Sequence, residues 1–269
     1  MKEIHDFKVL ERRQLGSRYF SLLLEHGGKM QPVAPGQFVE VLVEGSREVM
    51  LRRPISIHDV DEERGTLTLL IQIVGNGTRR LAELEAGDRL NMVYPLGHGF
   101  SVGSAEECGG VQGSAGTLPS KVLLVGGGAG IAPLLHLSKV LKGRGVDCTI
   151  LLGGRTAELI PVRDEFDPYG RVCIATDDGS LGHRGLVVEH PAFAEPYDMI
   201  YTCGPTPMIK AVARSAAQRG IRCEVSLENM MACGVGACLC CVTDTDDGHR
   251  CVCKDGPVFD ITTMKKWYN

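Results

Sequence analysis

Between Cys233 and Cys253 the chain reads C-G-V-G-A-C-L-C-C-V-T-D-T-D-D-G-H-R-C-V-C, and six of its 11 cysteines fall in this window. Cys233, Cys238 and Cys241 form C-x4-C-x2-C, a spacing that holds a 2Fe–2S cluster once a fourth, more distant thiolate completes it. Gly234 and Gly236 suit such a loop. Backbone that wraps closely round inorganic sulfide and turns its N–H groups inward needs positive φ, which glycine adopts at little cost. Structural zinc usually presents C-x2-C pairs, and here only the tight Cys238/Cys240/Cys241 group resembles one. Disulfide frameworks belong to small secreted domains, not to a chain of 269 residues without an export signal. The spacing therefore predicts an iron–sulfur cluster ahead of zinc or inert thiols. Cys251 and Cys253 compete for the fourth ligand place, and Cys240 is a further spare thiol.

Other stretches carry residue types that bind phosphate or nucleotide. Gly126-Gly127-Gly128-Ala129-Gly130 joins an apolar run to a helical one, so free N–H groups and the helix dipole would meet a pyrophosphate there. The spacing is not G-x-G-x-x-G, because Ile131-Ala132-Pro133 follows at once. Cys203-Gly204-Pro205-Thr206-Pro207-Met208 ends another strand and opens a helix, with Pro207 suited to a first helical turn. Arg53-Pro54-Ile55-Ser56 sets a guanidinium beside a short hydroxyl, a pair that can grip phosphate. Gly77-Thr78 starts a short helical segment and offers a second phosphate site by the same N-terminal logic. Thr176–Gly182 is a candidate ribose loop, and Arg155 a candidate partner for a 2′-phosphate, which leaves NAD and NADP both open. His58, His98, His136, His183 and His249 show no metal spacing and are assigned no role.

These residues need two kinds of scaffold. From Tyr19 to about Val93, short strands at Tyr19–Leu24, Gln37–Val43, Thr66–Val74 and Asp88–Val93, separated by Gly/Pro turns, predict a small β-barrel over residues 1–100. Gly77–Leu84 is expected to be its one helix. Residues 101–120 are Gly/Ser-rich without apolar periodicity and read as a linker. Over 121–227 the pattern becomes α/β, with strands at Lys121–Val125, Cys148–Leu152, Arg171–Thr176, Asp198–Cys203 and Arg222–Leu227 and helices at Ile131–Lys142 and Thr206–Gln218. Uninterrupted Val/Ile/Leu strands predict a parallel sheet covered on both faces. Residues 228–269 form the cysteine-rich cluster segment. A net charge of −4 with no basic block argues against nucleic acid or a membrane surface as partner. With no apolar run near the ~18 residues of a membrane span, the expected location is cytoplasmic.

Together these pieces resemble the ferredoxin–NADP reductase superfamily. Arg53–Ser56 resembles its flavin motif, with Ile55 where many members carry tyrosine. Gly126–Pro133 resembles its nucleotide loop, and Cys203–Met208 its nicotinamide-side motif. The segment S-L-E-N-M-M-A-C-G-V-G-A-C-L-C-C followed by D-G-P-V-F further resembles the electron-transfer subunits of type 1B dihydroorotate dehydrogenases, over nearly the whole chain. The resemblance implies FAD, a 2Fe–2S cluster and NAD(H) as cofactors. It places FAD on Arg53, Pro54, Ile55, Ser56, Leu70, Ile71, Gln72, Gly77 and Thr78. The nucleotide falls to Gly127, Gly128, Gly130, Cys203, Gly204 and Pro205, and the cluster to Cys233, Cys238, Cys241 and Cys253. It further implies an FMN-containing catalytic partner, in a heterotetramer of two of each subunit, and no general acid or base in this chain. The runner-up is an NAD(P)H-oxidising subunit of another complex, of sulfide dehydrogenase, hydrogenase or transhydrogenase type. A zinc-binding assembly protein on the same fold is a third possibility. The 101–120 stretch is longer than that family's usual connection.

Overall fold

A computed structural model describes residues 2–45, 48–103 and 118–269, so most of the expected 101–120 linker lies outside the described residues. The N-terminal part has strands β1 (Glu3–Leu15), β2 (Tyr19–Glu25), β3 (Phe38–Val41), β4 (Arg53–Asp61), β5 (Thr66–Gln72) and β6 (Arg89–Leu96), with helix α1 (Asn76–Leu81) between the last two. They close a barrel in the order β1-β2-β5-β4-β3-β6, every neighbour antiparallel. Two of the six, β1 and β4, are not among the strands the sequence predicts. In β1 only Phe7 and Val9 are buried among charged neighbours, so no apolar run announces it. In β4 the phosphate-type motif Arg53–Ser56 is itself strand, with Pro54 lacking an N–H to donate.

The second part begins with β7 (Lys121–Gly127), a 3₁₀ turn Gly128–Ile131, α2 (Ala132–Gly143), β8 (Asp147–Gly154), β9 (Arg171–Thr176), β10 (His183–Arg184), β11 (Met199–Cys203), α3 (Thr206–Gln218) and β12 (Arg222–Ser226). The cysteine-rich end adds the hairpin β13 (Val242–Thr245) and β14 (Gly248–Cys251), then α4 (Val252–Asp255), β15 (Val258–Asp260) and α5 (Lys265–Tyr268). The sheet runs β10-β9-β8-β7-β11-β12-β15, parallel except for β15. Along β7, Leu123 and Val125 face one apolar core while Val122 and Leu124 face the other, so the sheet is buried on both sides. Burying each such side chain contributes about 1.5–3 kcal/mol. A third core fills the barrel. Only short 3₁₀ turns, such as Ala157–Leu159 and Arg163–Phe166, stand between β8 and β9. The cluster segment is not a separate appendage, since β15 pairs Phe259 with Val225 of β12.

Chain order reverses between β7 and β11, because β8 lies on one side of β7 and β11 on the other. Open parallel sheets bind ligands beyond the carboxyl ends of strands at such a point. Among the described residues, no helix is long and apolar enough to cross a membrane.

Candidate functional site

The barrel opens where two of its strands part company. Strands β4 and β5 pair from Ile57/Leu69 to Asp61/Thr66, but beyond that Arg53–Ser56 pair only with β3, and Leu70–Gln72 only with β2. The gap between them is a cleft edged by Arg53, Pro54, Ile55 and Ser56 on one side and Leu70, Ile71 and Gln72 on the other. The side chains of Leu70 and Ile71 are buried, so these two face the cleft with backbone alone. Helix α1 closes the far end. A Cβ on Gly77 would stand 2.9 Å from Arg53 Nε, so the missing side chain lets the guanidinium lie against the first turn. Thr78 differs from expectation. Its hydroxyl accepts the N–H groups of Val74 at 2.9 Å and Gly75 at 3.1 Å, so it shapes its own turn, and only first-turn backbone N–H groups are left for a phosphate.

At the sheet's carboxyl edge the two glycine loops interlock. A Cβ on Gly130 would fall 2.3 Å from Gly204 N and 2.4 Å from the carbonyl carbon of Cys203. One on Gly127 would fall 2.7 Å from Met208 Sδ and 3.2 Å from Pro205. Gly128 takes φ 57 beside the barrel residue Tyr19, whose hydroxyl is buried without a hydrogen-bond partner. Bare backbone thus lines the switch point, which suits a pyrophosphate. Cys203 is 0% exposed and its thiol contacts Ser226 on β12, so it lies beneath this slot instead of in it. Burial raises that thiol far above its usual range. Arg155 is exposed after β8, and Thr176–Gly182 is a turn tied by Ser180 donating to Asp178 Oδ1 at 2.7 Å.

The four cysteines of the expected ligand set fall into two pairs. Cys233 meets Cys238, and Cys253 meets Cys241. Backbone N–H groups converge on them: Val235 and Ala237 donate to Cys233 Sγ at 3.5 and 3.3 Å, Gly236 to Cys253 Sγ at 3.1 Å, and Cys253 to Cys241 Sγ at 3.3 Å. The two loop glycines take φ 67 and 83, the region the sequence expects of them. Burial works to raise the Cys233 thiol, but hydrogen bonds from the Val235, Cys238 and Ala237 backbone and from the Cys238 side chain bring it down to about 6. Burial and then the neighbouring Cys241 push Cys253 up to about 12. Thiols packed so closely ionise together only around a strong positive charge, and two thiolates per iron is the donor set of a 2Fe–2S cluster. The residues therefore fit the cluster. Cys240 is exposed and turned to the Met230 carbonyl. Cys251 sits opposite Val242 in the hairpin, its N–H bound to Asp255 at 2.7 Å.

A residue that sequence reasoning missed stands between cleft and cluster loop. Glu40 of β3 lies opposite Pro54, and its Cγ would be 2.7 Å from a Cβ on Gly234. It is 1% exposed, neither carboxylate oxygen has a partner, and Arg52 binds only its backbone carbonyl. Burial pushes this carboxyl up to about 7. Its folded pKa exceeds the unfolded value of 4.5, so the native chain holds the proton more tightly and loses stability as pH rises across that window. For the cofactor-free chain, the stability of Glu40→Gln relative to wild type is expected to grow by about 2–3 kcal/mol between about pH 5 and about pH 8. Urea unfolding at the two pH values checks this, and an equal difference at both contradicts it.

The comparisons agree with this arrangement. Residues 228–265 match the family model described as the iron–sulfur cluster binding domain of dihydroorotate dehydrogenase B, and residues 7–100 match the oxidoreductase FAD-binding domain. The chain is 38% identical to the dihydroorotate dehydrogenase B (NAD(+)) electron transfer subunit of Lysinibacillus sphaericus, over 96% of each chain. It is 36% identical to that of Fusobacterium nucleatum, again over 96% of each. Among solved structures, an NADH-dependent reduced ferredoxin–NADP oxidoreductase is similar at TM-score 0.81 and 28% identity, covering 96% of this chain and 88% of that one. Phthalate dioxygenase reductase shares the fold at TM-score 0.60 and 20% identity, covering 80% of this chain and 64% of that one. With a barrel, a parallel nucleotide-type sheet and paired thiols in one chain, and relatives this similar over almost its whole length, the chain belongs to the family of dihydroorotate dehydrogenase B electron transfer subunits.

Proposed function

We propose that this chain is the electron-transfer subunit of an NAD-dependent dihydroorotate dehydrogenase in pyrimidine (UMP) synthesis. It relays electrons from the FMN of a catalytic subunit, through a 2Fe–2S cluster and FAD, to NAD+. The observation that carries the reading is the two cysteine pairs with converging N–H groups, inside a segment that matches the family's cluster-binding domain. When bound, flavin bridges the two-electron chemistry of nicotinamide and the one-electron chemistry of the cluster.

The chain's own residues hold and orient. Arg53 and Ser56, with the backbone of Leu70–Gln72 and the first turn at Gly77 and Thr78, grip FAD. Gly127, Gly128 and Gly130, against Gly204 and Pro205, seat the dinucleotide, with Cys203 packed beneath. Cys233, Cys238, Cys241 and Cys253 hold the cluster. In this reading 1–100 binds FAD, 101–120 links, 121–227 binds NAD(H) and 228–269 carries the cluster. The partner is the FMN-containing catalytic subunit, in a cytoplasmic heterotetramer of two of each.

A second reading has its own observation. The likeness to the NADH-dependent reduced ferredoxin–NADP oxidoreductase favours an NAD(P)H-oxidising subunit of another redox complex. An anaerobic visible spectrum before and after stoichiometric NADH tests the relay. A brown protein with flavin and iron–sulfur bands, bleached by NADH, is expected. A yellow protein without iron refutes the cluster. Bleaching by dihydroorotate only when the FMN subunit is present separates the two readings, and bleaching without that subunit's help contradicts the first.

A further inference from the structure

His58, to which the sequence assigns no role, joins the barrel to the nucleotide domain. It is 1% exposed, and both ring nitrogens face acceptors. Nδ1 lies 2.8 Å from the Ala132 carbonyl oxygen and Nε2 3.0 Å from the Glu165 carboxylate. The ring is thus held at both nitrogens, between a backbone carbonyl of one part of the chain and a carboxylate. Glu165 is also bound by Arg13 of β1. Burial opposes its ionisation, yet hydrogen bonds from His58 and Arg13 hold its carboxyl below the usual range.

The clasp has a second strand-to-helix tie. Asp59 receives Lys139 Nζ of α2 at 3.0 and 3.2 Å, and Lys139 also donates to the Val60 carbonyl at 3.0 Å. His136 of α2 lies 3.9 Å from Asp59 through Nδ1, while its Nε2 is 3.2 Å from the Val33 carbonyl of the barrel. Glu11, Arg13, Asp59 and Glu165 line, with His58, a cavity of ≈ 200 Å³ between the domains.

Placement gives the clasp its consequence. His58 stands two residues beyond Ser56, the end of the flavin edge, and Ala132 two residues beyond Gly130, the end of the nucleotide loop. We infer that His58 is a positioning residue: clasped between Ala132 and Glu165, its ring sets the distance between the flavin cleft and the nucleotide loop. The inference rests on the function proposed above. Transfer between two bound rings needs reacting atoms about 3–3.5 Å apart, and about 1 Å of misplacement costs about 100-fold.

The test uses cofactor-loaded wild type, His58→Gln and Glu165→Gln. Amide hydrogen exchange over 132–138 and 163–166 is expected to quicken at least about tenfold in both variants, with flavin and iron contents retained. In stopped flow at saturating NADH, flavin reduction is expected to slow about 10–100-fold in His58→Gln. The NADH concentration that half-saturates this rate should stay near the wild-type value, so that the loss lies in the transfer step. Glu165→Gln keeps an acceptor for the ring, so its rate should fall less than that of His58→Gln. Unchanged exchange together with an unchanged rate overturns the clasp. Faster exchange with no change in rate leaves a structural tie and overturns the positioning role. Wild-type flavin that NADH does not reduce overturns the functional reading, and the positioning role with it, whatever the exchange shows.

Discussion

Cys253→Ser is expected to strip the chain of its iron, while Cys251→Ser and Cys240→Ser retain about two irons per chain. Spacing alone leaves Cys251 and Cys253 level, since one residue separates them. In the folded chain they point to different company. Cys253, in the first turn of its short helix, has its N–H on Cys241 Sγ at 3.3 Å and its own sulfur under the Gly236 N–H at 3.1 Å. Cys251 is held in strand pairing with Val242, and its N–H is committed to Asp255. Moving Cys251 into the ligand place would break both. Removing Cys253 leaves one thiolate, Cys241, where two are needed, and serine binds iron far less well than a thiolate. Iron analysis and the visible bands of anaerobically prepared variants decide the matter. Iron lost from Cys251→Ser and kept in Cys253→Ser would reverse the assignment.

Gly130→Ala should be among the most damaging single methyls in the parallel-sheet part of the chain. The added carbon would sit 2.3 Å from Gly204 N and 2.4 Å from the Cys203 carbonyl carbon, which are backbone atoms of the neighbouring loop. Neither can rotate aside, because Cys203 is paired on both flanks, to Gly126 and to Ser226. Relief requires the two loops to separate, at a cost of about 1–3 kcal/mol or more for an overpacked site. The same movement spoils the slot in which bare backbone would meet a pyrophosphate. We expect NADH affinity to fall by at least about tenfold, the effect of ~1.4 kcal/mol, while iron and flavin contents stay at wild-type level. Gly143→Ala is the control, at the end of α2 with nothing within 4 Å of the added carbon. It should be neutral or stabilising by up to about 1 kcal/mol. Thermal unfolding and NADH titration of both variants check the pair. A Gly130→Ala protein that binds NADH like wild type would remove the interlocked loops from the nucleotide site.

Much of the architecture could be read from the chain because its signals are local. Ligand spacing within one loop survives without any fold, so Cys233, Cys238 and Cys241 stand out unaided. Helix α3 falls at Thr206–Gln218 and strand β9 at Arg171–Thr176, as periodicity and unbroken apolar runs predict. Strand β1 escaped because a strand on the barrel with two inward residues carries almost no pattern. Strand β15 escaped because three residues reveal nothing until they meet β12.

Tertiary structure decided the features that depend on which residues meet across long sequence separations. The cleft proposed for flavin exists because β4 and β5 stop pairing beyond Ile57 and Leu69, and a register boundary between two strands is not encoded in either one. In the sequence Glu40 and His58 look like ordinary polar residues alternating with apolar ones in a strand. Only folding removes water from the first without a partner and places the second between a carbonyl and a carboxylate. The different company that Cys251 and Cys253 keep is of the same kind. Residue types and spacing specify what chemistry the chain can hold, because ligand identity is a local property. Where that chemistry is assembled depends on burial and contact, which arise only when distant segments exclude water together.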